Sequence, residues 1–122
     1  MKRCLFVDDS SVIRKVAKRI LSGSDLLVVE ASSGAHALDI CSMDMPDYIL
    51  VDVGLPDMSV EEFIRSVRSM PALVAPRIAV CLTEMDVSAI MRSKRAGAHG
   101  YLLKPFNRSQ LMDNFRVLQA VA

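Results

Sequence analysis

Short runs of consecutive apolar residues alternate with longer amphipathic stretches five times along this 122-residue chain, with no linker or low-complexity segment between them. The runs are Cys4-Leu5-Phe6-Val7, Leu26-Leu27-Val28-Val29, Tyr48-Ile49-Leu50-Val51-Asp52, Ile78-Ala79-Val80-Cys81-Leu82 and Gly100-Tyr101-Leu102-Leu103. A short apolar run closed by turn residues reads as a strand buried on both faces, the kind found in parallel sheets. The intervening stretches read as helices. Ser10-Ser11 can cap the first. It places Val12, Ile13, Val16, Ala17, Ile20 and Leu21 on one side and Arg14, Lys15, Lys18 and Arg19 on the other, and Gly23 closes it. Ser33-Gly34 opens the second, with Ala35, Leu38 and a further candidate, Cys41, facing inward. Ser59 and Glu62 form a capping box for the third, which carries Phe63, Ile64 and Val67. The fourth starts near Asp86 and closes at Ala96-Gly97. Asn107 and Gln110 cap the fifth, whose Leu111, Phe115 and Leu118 share a face. The expectation is an α/β fold, (βα)5, doubly wound around a five-stranded parallel sheet.

Composition supports this picture. Hydrophobic residues make up 52% of the chain, which suits a central sheet covered on both faces. A formal net charge of +1 gives no general attraction to nucleic acid. With no zinc-type Cys/His spacing and no helix-turn-helix signature, nucleic-acid binding is not expected. Cys4, Cys41 and Cys81 are odd in number and sit inside predicted core elements, so they read as reduced, packed thiols. Only four apolar residues separate Met1-Lys2-Arg3 from Asp8, too few for a signal peptide, and no run approaches membrane-spanning length. The chain is therefore expected to be a cytoplasmic, monomeric, single domain over residues 1–122, with no effector domain and no membrane partner.

Four of the five strands end on polar groups: Asp8-Asp9, Asp52, Thr83 and Lys104. Asp is common in turns and near helix starts, so each ending alone has a plain structural explanation. Together they mean more, because parallel α/β sheets place their chemistry beyond the carboxyl ends of the strands. Three nearby carboxylates repel one another, and a hard divalent cation removes that conflict. Mg²⁺ takes oxygen ligands and keeps several waters. A lysine ammonium opposite the metal would hold a further anionic oxygen. The set describes a site for a phosphoryl group carried on a carboxylate.

Val7-Asp8-Asp9-Ser10, Asp52-Val53-Gly54-Leu55-Pro56, Thr83, Ala96-Gly97-Ala98 with Tyr101-Leu102, and Lys104-Pro105-Phe106 together resemble the response-regulator receiver domain of two-component signalling, stand-alone and CheY-like. The resemblance covers the whole chain. It implies a flavodoxin-like sheet in the order 2-1-3-4-5. It implies Asp52 as phospho-acceptor, with a histidine kinase or histidine phosphotransfer protein as donor. Asp9, Asp52 and the Gly54 carbonyl would ligate Mg²⁺ directly, and Asp8 through metal-bound water. Lys104 would bind the phosphoryl group, and its bond to Pro105 would be cis. Thr83 and Tyr101 would form the switch, read by a protein effector on the surface of the fourth helix, fifth strand and fifth helix.

Three positions depart from the family pattern. Glu84 replaces the usual small residue after the switch threonine and is a possible gate against anionic donors. Gly54 offers a carbonyl but no side chain, and Val60 stands where Gly is common. Two other functions compete. A phosphate sink would drain a kinase without an effector. A Mg²⁺-dependent phosphatase would form the same aspartyl phosphate, but such enzymes usually carry a second Asp where this chain has Gly54. Flavin binding is disfavoured, since the acidic Asp8-Asp9-Ser10-Ser11 turn lies where a flavin phosphate would need neutral donors.

Overall fold

A computed structural model of the protein describes residues 1–121. Five strands, β1 (Lys2–Val7), β2 (Leu26–Ala31), β3 (Tyr48–Asp52), β4 (Arg77–Leu82) and β5 (Gly100–Leu103), alternate with five helices. The helices are α1 (Ser11–Leu21), α2 (Gly34–Met43), α3 (Val60–Ser69), α4 (Val87–Ala96) and α5 (Arg108–Gln119). All strand pairs are parallel and the sheet order is β2-β1-β3-β4-β5, as the resemblance implied.

Successive side chains of a strand point to opposite faces, and the core divides accordingly. Leu5, Val7, Ile49, Val51, Ile78, Val80 and Leu82 join Phe63, Ile64 and Val67 of α3 with residues of α2 and α4 on one face. Cys4, Phe6, Leu50, Ala79, Cys81 and Leu102 meet Ala17 and Leu21 of α1 and Leu111, Phe115 and Leu118 of α5 on the other. Every residue of β3 is buried, which is why that run reads as continuously apolar up to its terminal Asp. Burying one such Leu, Ile or Phe side chain contributes roughly 1.5–3 kcal/mol. The three cysteines are free and buried, and burial pushes the Cys4 thiol up to about 12 and that of Cys41 to about 11. These are inert packing groups at neutral pH.

Three local expectations are corrected. In α1 only Ala17 and Leu21 are fully buried, with Ile13 and Ile20 packed beside them, while Val12 is 71% and Val16 41% exposed. The stripe that meets the sheet and α5 is narrower than the apolar arc, so Val12 and Val16 fall on its solvent flank. Arg14, by contrast, turns inward, because Glu30 on edge strand β2 offers it a half-buried carboxylate at 3.1 Å. In α2 the inward row is Gly34, Ala37 and Cys41, whereas Ala35 is exposed. Gly23 does not act as a left-handed cap. The chain leaves α1 through an extended Ser22 whose N–H bonds the Lys18 carbonyl at 2.9 Å.

Gly97 does play that capping part, with φ of 126° and its N–H bonded to the Ser93 and Lys94 carbonyls. Asn107 and Gln110 make both bonds of the expected capping box at α5. At α3 the Ser59 hydroxyl accepts from the Glu62 N–H, and the return bond from Glu62 is absent among the described residues. Among those residues no helix is long and apolar enough to cross a membrane.

Candidate functional site

Register decides which strand ends meet. Val7 lies level with Val51, so the next residues, Asp8 and Asp52, lie side by side at the end of the sheet. Leu82 lies level with Leu103, which sets Thr83 beside Lys104. The Lys104 backbone N–H bonds the Leu82 carbonyl at 2.8 Å, and the Lys104–Pro105 peptide is cis.

Three of the four polar strand ends, those of β1, β3 and β5, form one cluster. Lys104 Nζ donates to Asp8 Oδ2 at 2.7 Å and pairs with Asp52 Oδ1 at 2.9 Å. All three residues are buried: Asp8 is 1%, Lys104 7% and Asp52 8% exposed. The second Asp8 oxygen, Oδ1, accepts from the Ser10 N–H at 2.9 Å. Asp9 is exposed at the rim, and oxygens of Asp8, Asp9 and Asp52 lie within 4.8 Å of one another. Asp52 Oδ2 faces Gly54 closely enough that a Cβ there would sit 3.4 Å away. Gly54 thus leaves this side of the Asp52 carboxylate clear.

Electrostatics follow from burial and pairing. Burial pushes the Asp52 carboxyl above its ordinary range, and the neighbouring Asp8 and Asp9 add to this while Lys104 opposes it. Burial alone would lower the Lys104 ammonium, but its bonds to Asp8 and Asp52 outweigh burial and raise it. One ammonium therefore faces two buried carboxylates and the exposed Asp9, and the cluster as a whole stays net negative. The donor set is hard oxygen throughout, with one carboxylate on the rim and one clear oxygen on Asp52, which suits Mg²⁺ among biological cations.

The remaining predicted residues sit around this cluster. Thr83 and Glu84 follow β4 and are exposed, and Tyr101 on β5 is 38% exposed. Val53 continues the β3 ladder, its N–H bonded to the Cys81 carbonyl at 2.9 Å, so the loop carrying Gly54 starts from a fixed point.

Sequence reasoning missed two supports. Arg14 Nη1 donates to the Asp8 carbonyl at 2.7 Å while its Nε meets Glu30. A Glu at the end of an otherwise apolar second strand was the available signal. The second support is Asp57, whose two carboxylate oxygens each accept at 2.9 Å from the Gly34 and Ala35 N–H groups at the start of α2. Those bonds hold its carboxyl below the ordinary range. Met58 packs directly over Gly34, where a Cβ would come within 2.6 Å of its Sδ. The loop after Asp52 is thereby clasped to α2.

Comparison with known proteins places this geometry. Residues 4–116 match the family model for the response regulator receiver domain. The chain is 34% identical over 117 residues to the KDP operon transcriptional regulatory protein KdpE of Escherichia coli, covering 96% of this chain and 51% of that protein. It is 36% identical over 121 residues to response regulator MprA of Mycolicibacterium vanbaalenii, covering 95% and 49%. The chain thus spans about half the length of these curated relatives. Among solved structures, the chemotaxis response regulator CheY4 of Vibrio cholerae superposes with a TM-score of 0.89 at 31% identity, covering 97% of this chain and 98% of that one.

Proposed function

The chain belongs to the response regulator receiver family of two-component systems, and on that footing we propose that it carries a phosphoryl group on Asp52. The donor in this reading is a phosphohistidine of a histidine kinase or a histidine phosphotransfer protein. The observation that carries the proposal is the Lys104 ammonium lodged between Asp8 and Asp52 at the carboxyl edge of the sheet. A buried lysine bridging two carboxylates supports the stability of the fold only weakly, because desolvation offsets most of the attraction. It is well suited, however, to receive the oxygens of a phosphoryl group arriving on Asp52.

The transfer balances simply. The clear Asp52 oxygen attacks phosphorus, the P–N bond to the donor histidine breaks, and its electron pair returns to the imidazole nitrogen. Asp8, Asp9, Asp52 and the Gly54 carbonyl are the groups that would hold Mg²⁺, which when bound supplies positive charge for an anion approaching carboxylates. Lys104 Nζ, already 2.9 Å from Asp52 Oδ1, needs only a small displacement to bond a phosphoryl oxygen instead. Thr83 would then bond another oxygen and draw its loop inward, with Tyr101 rotating from its half-exposed position. The output surface is α4, β5 and α5. It exposes Val87, Met91, Tyr101 and Leu103, and a groove of about 460 Å³ runs between β5 and α5. Acetyl phosphate with Mg²⁺ should label the chain at one phosphoryl group per molecule, with no label when the metal is chelated. Labelling that ignores chelation would overturn the proposal.

Two further results are expected at the rim. Val12 and Val16 are exposed with Lys15 on α1, the helix that follows Asp8 and Asp9 directly, and this face would dock the donor. Arg14 is no part of it, being turned toward Glu30. Val12→Asp should slow transfer from a phosphohistidine donor and leave acetyl phosphate labelling unchanged. Equal slowing with both donors would place the damage in the site itself. At the other rim, Glu84→Ala should speed labelling by acetyl phosphate. Removing one screened charge several Å from an anionic donor changes the barrier by about 1 kcal/mol, or roughly fivefold in rate. The gain should shrink as salt rises, whereas a gain independent of salt would mean a steric gate.

A further inference from the structure

Resting on the receiver reading of the acidic site, we propose that Arg14 is a positioning residue for the cation site, aimed by Glu30 and acting through the Asp8–Asp9 peptide. The Asp8 carbonyl belongs to the peptide plane that joins the two carboxylate-bearing residues. The orientation of that plane sets ψ of Asp8 and φ of Asp9, two of the dihedrals that fix how the two carboxylates sit relative to each other. This peptide lies beyond the last β1 ladder pair, Val7 with Ala31, so sheet pairing does not fix it. The Asp8 N–H is held by the Ala31 carbonyl at 3.1 Å, and Asp8 Oδ1 accepts from the Ser10 N–H at 2.9 Å. What holds the carbonyl side of the plane is Arg14 Nη1 at 2.7 Å.

Arg14 can do this because it is itself held. Its side chain is 15% exposed and that of Glu30 14%, with Nε donating to Oε1 at 3.1 Å. A guanidinium presents its donors in a rigid planar fork, so fixing Nε on Glu30 fixes the direction in which Nη1 points. Glu30 also meets Lys15 at 2.8 Å and Lys18 at 3.9 Å. It keeps cationic partners if Arg14 is changed, and replacing Arg14 does not strand a lone buried carboxylate. The same three cations hold the Glu30 carboxyl below its ordinary range, Lys15 contributing most.

A plain tie between α1 and β2 would use the same contacts, so the test must separate the two roles. Electrostatics does so by sign. Arg14 is a cation close to a cation site, and deleting its charge should by Coulomb's law alone tighten Mg²⁺ binding. Loss of positioning should weaken it. Removing groups that orient metal ligands typically costs 10–100-fold in affinity, and about tenfold is expected for Arg14→Met. Arg14→Lys keeps the charge but cannot span both acceptors, and should also weaken binding. Glu30→Gln should weaken it less, and the double variant Arg14→Met/Glu30→Gln should be no worse than Arg14→Met, since Glu30 acts through Arg14.

The measurement is titration calorimetry of the metal-free chain with MgCl2, with thermal unfolding without Mg²⁺ as the control for folding. Weaker Mg²⁺ binding by folded Arg14→Lys or Arg14→Met supports the positioning role. Affinity equal to or tighter than wild type in both folded variants overturns it, leaving Arg14 a structural tie. If Arg14→Met does not fold, Arg14→Lys decides by the same criterion. Failure of the unmutated chain to bind Mg²⁺ overturns the cation reading itself and the positioning role with it, an outcome distinguished by appearing in wild type.

Discussion

Lys104→Met should destabilise the metal-free chain by about 3–5 kcal/mol at pH 7, the cost of removing one partner from a buried ion pair. Methionine preserves most of the aliphatic stem, so packing changes little. What remains is Asp8 at 1% and Asp52 at 8% exposure with no cation between them. For a domain of this size the loss corresponds to a fall of roughly 10–20 °C in unfolding temperature. Two dependences identify the cause. The stranded carboxylates take up protons more readily than in the unfolded chain, so the deficit should narrow as pH falls toward the carboxylate range. Added Mg²⁺, replacing the lost cation, should restore part of the deficit by mass action. The lysine itself gives the opposite limb. Its folded pKa is raised by Asp8 and Asp52 despite burial, so its contribution is complete below the unfolded lysine value near ~10.4. That contribution disappears as pH climbs through the higher folded value. Wild type should lose stability there and Lys104→Met should not. Denaturant titrations across pH, with and without Mg²⁺, check all three. A deficit indifferent to both pH and metal would assign Lys104 a packing role only.

The sheet and the strand ends were legible in the chain because they depend on local pattern. Runs such as Tyr48–Val51 are apolar throughout since both faces of β3 are covered, and the first polar residue marks where cover ends. Parallel pairing then brings Asp8 to Lys104 across 96 positions of sequence without any further signal. What the pattern could not give was the partner of a charged side chain. Arg14 sits on the charged arc of α1 by periodicity, and only the position of Glu30 on the adjoining edge strand turns it inward. Val12 and Val16 fail in the complementary way: they belong to the apolar arc but lie on the flank that nothing covers. Asp57 was equally hidden, since its carboxylate serves the first turn of a helix 22 and 23 residues earlier. Local periodicity reports burial of a face and is silent about which loop meets which helix end.

Asp52→Asn should abolish labelling by acetyl phosphate, the largest functional effect expected of any single change. The candidates differ in which oxygens are free. Both Asp8 oxygens are engaged, one by Lys104 and one by the Ser10 N–H. Asp9 is exposed at the rim, with no buried lysine at its side among the described residues. Asp52 alone combines one oxygen held by Lys104 with a second oxygen beside the bare Gly54. An asparagine fills the same volume, but its amide is no nucleophile toward phosphorus, so the variant should fold and stay unlabelled. It should also be more stable than wild type without metal. Burial raises the Asp52 pKa, so folding disfavours its ionised form. This costs stability progressively as pH rises from the unfolded value near ~3.9 through the folded one. At pH 7 the neutral amide escapes that cost, and the stabilisation by Mg²⁺ expected of wild type should shrink in step. The label in wild type should be released by hydroxylamine, as an acyl phosphate is, whereas phosphate on Thr83 would resist it. Undiminished, hydroxylamine-labile labelling of Asp52→Asn would move the acceptor to Asp9 and leave Asp52 a ligand only.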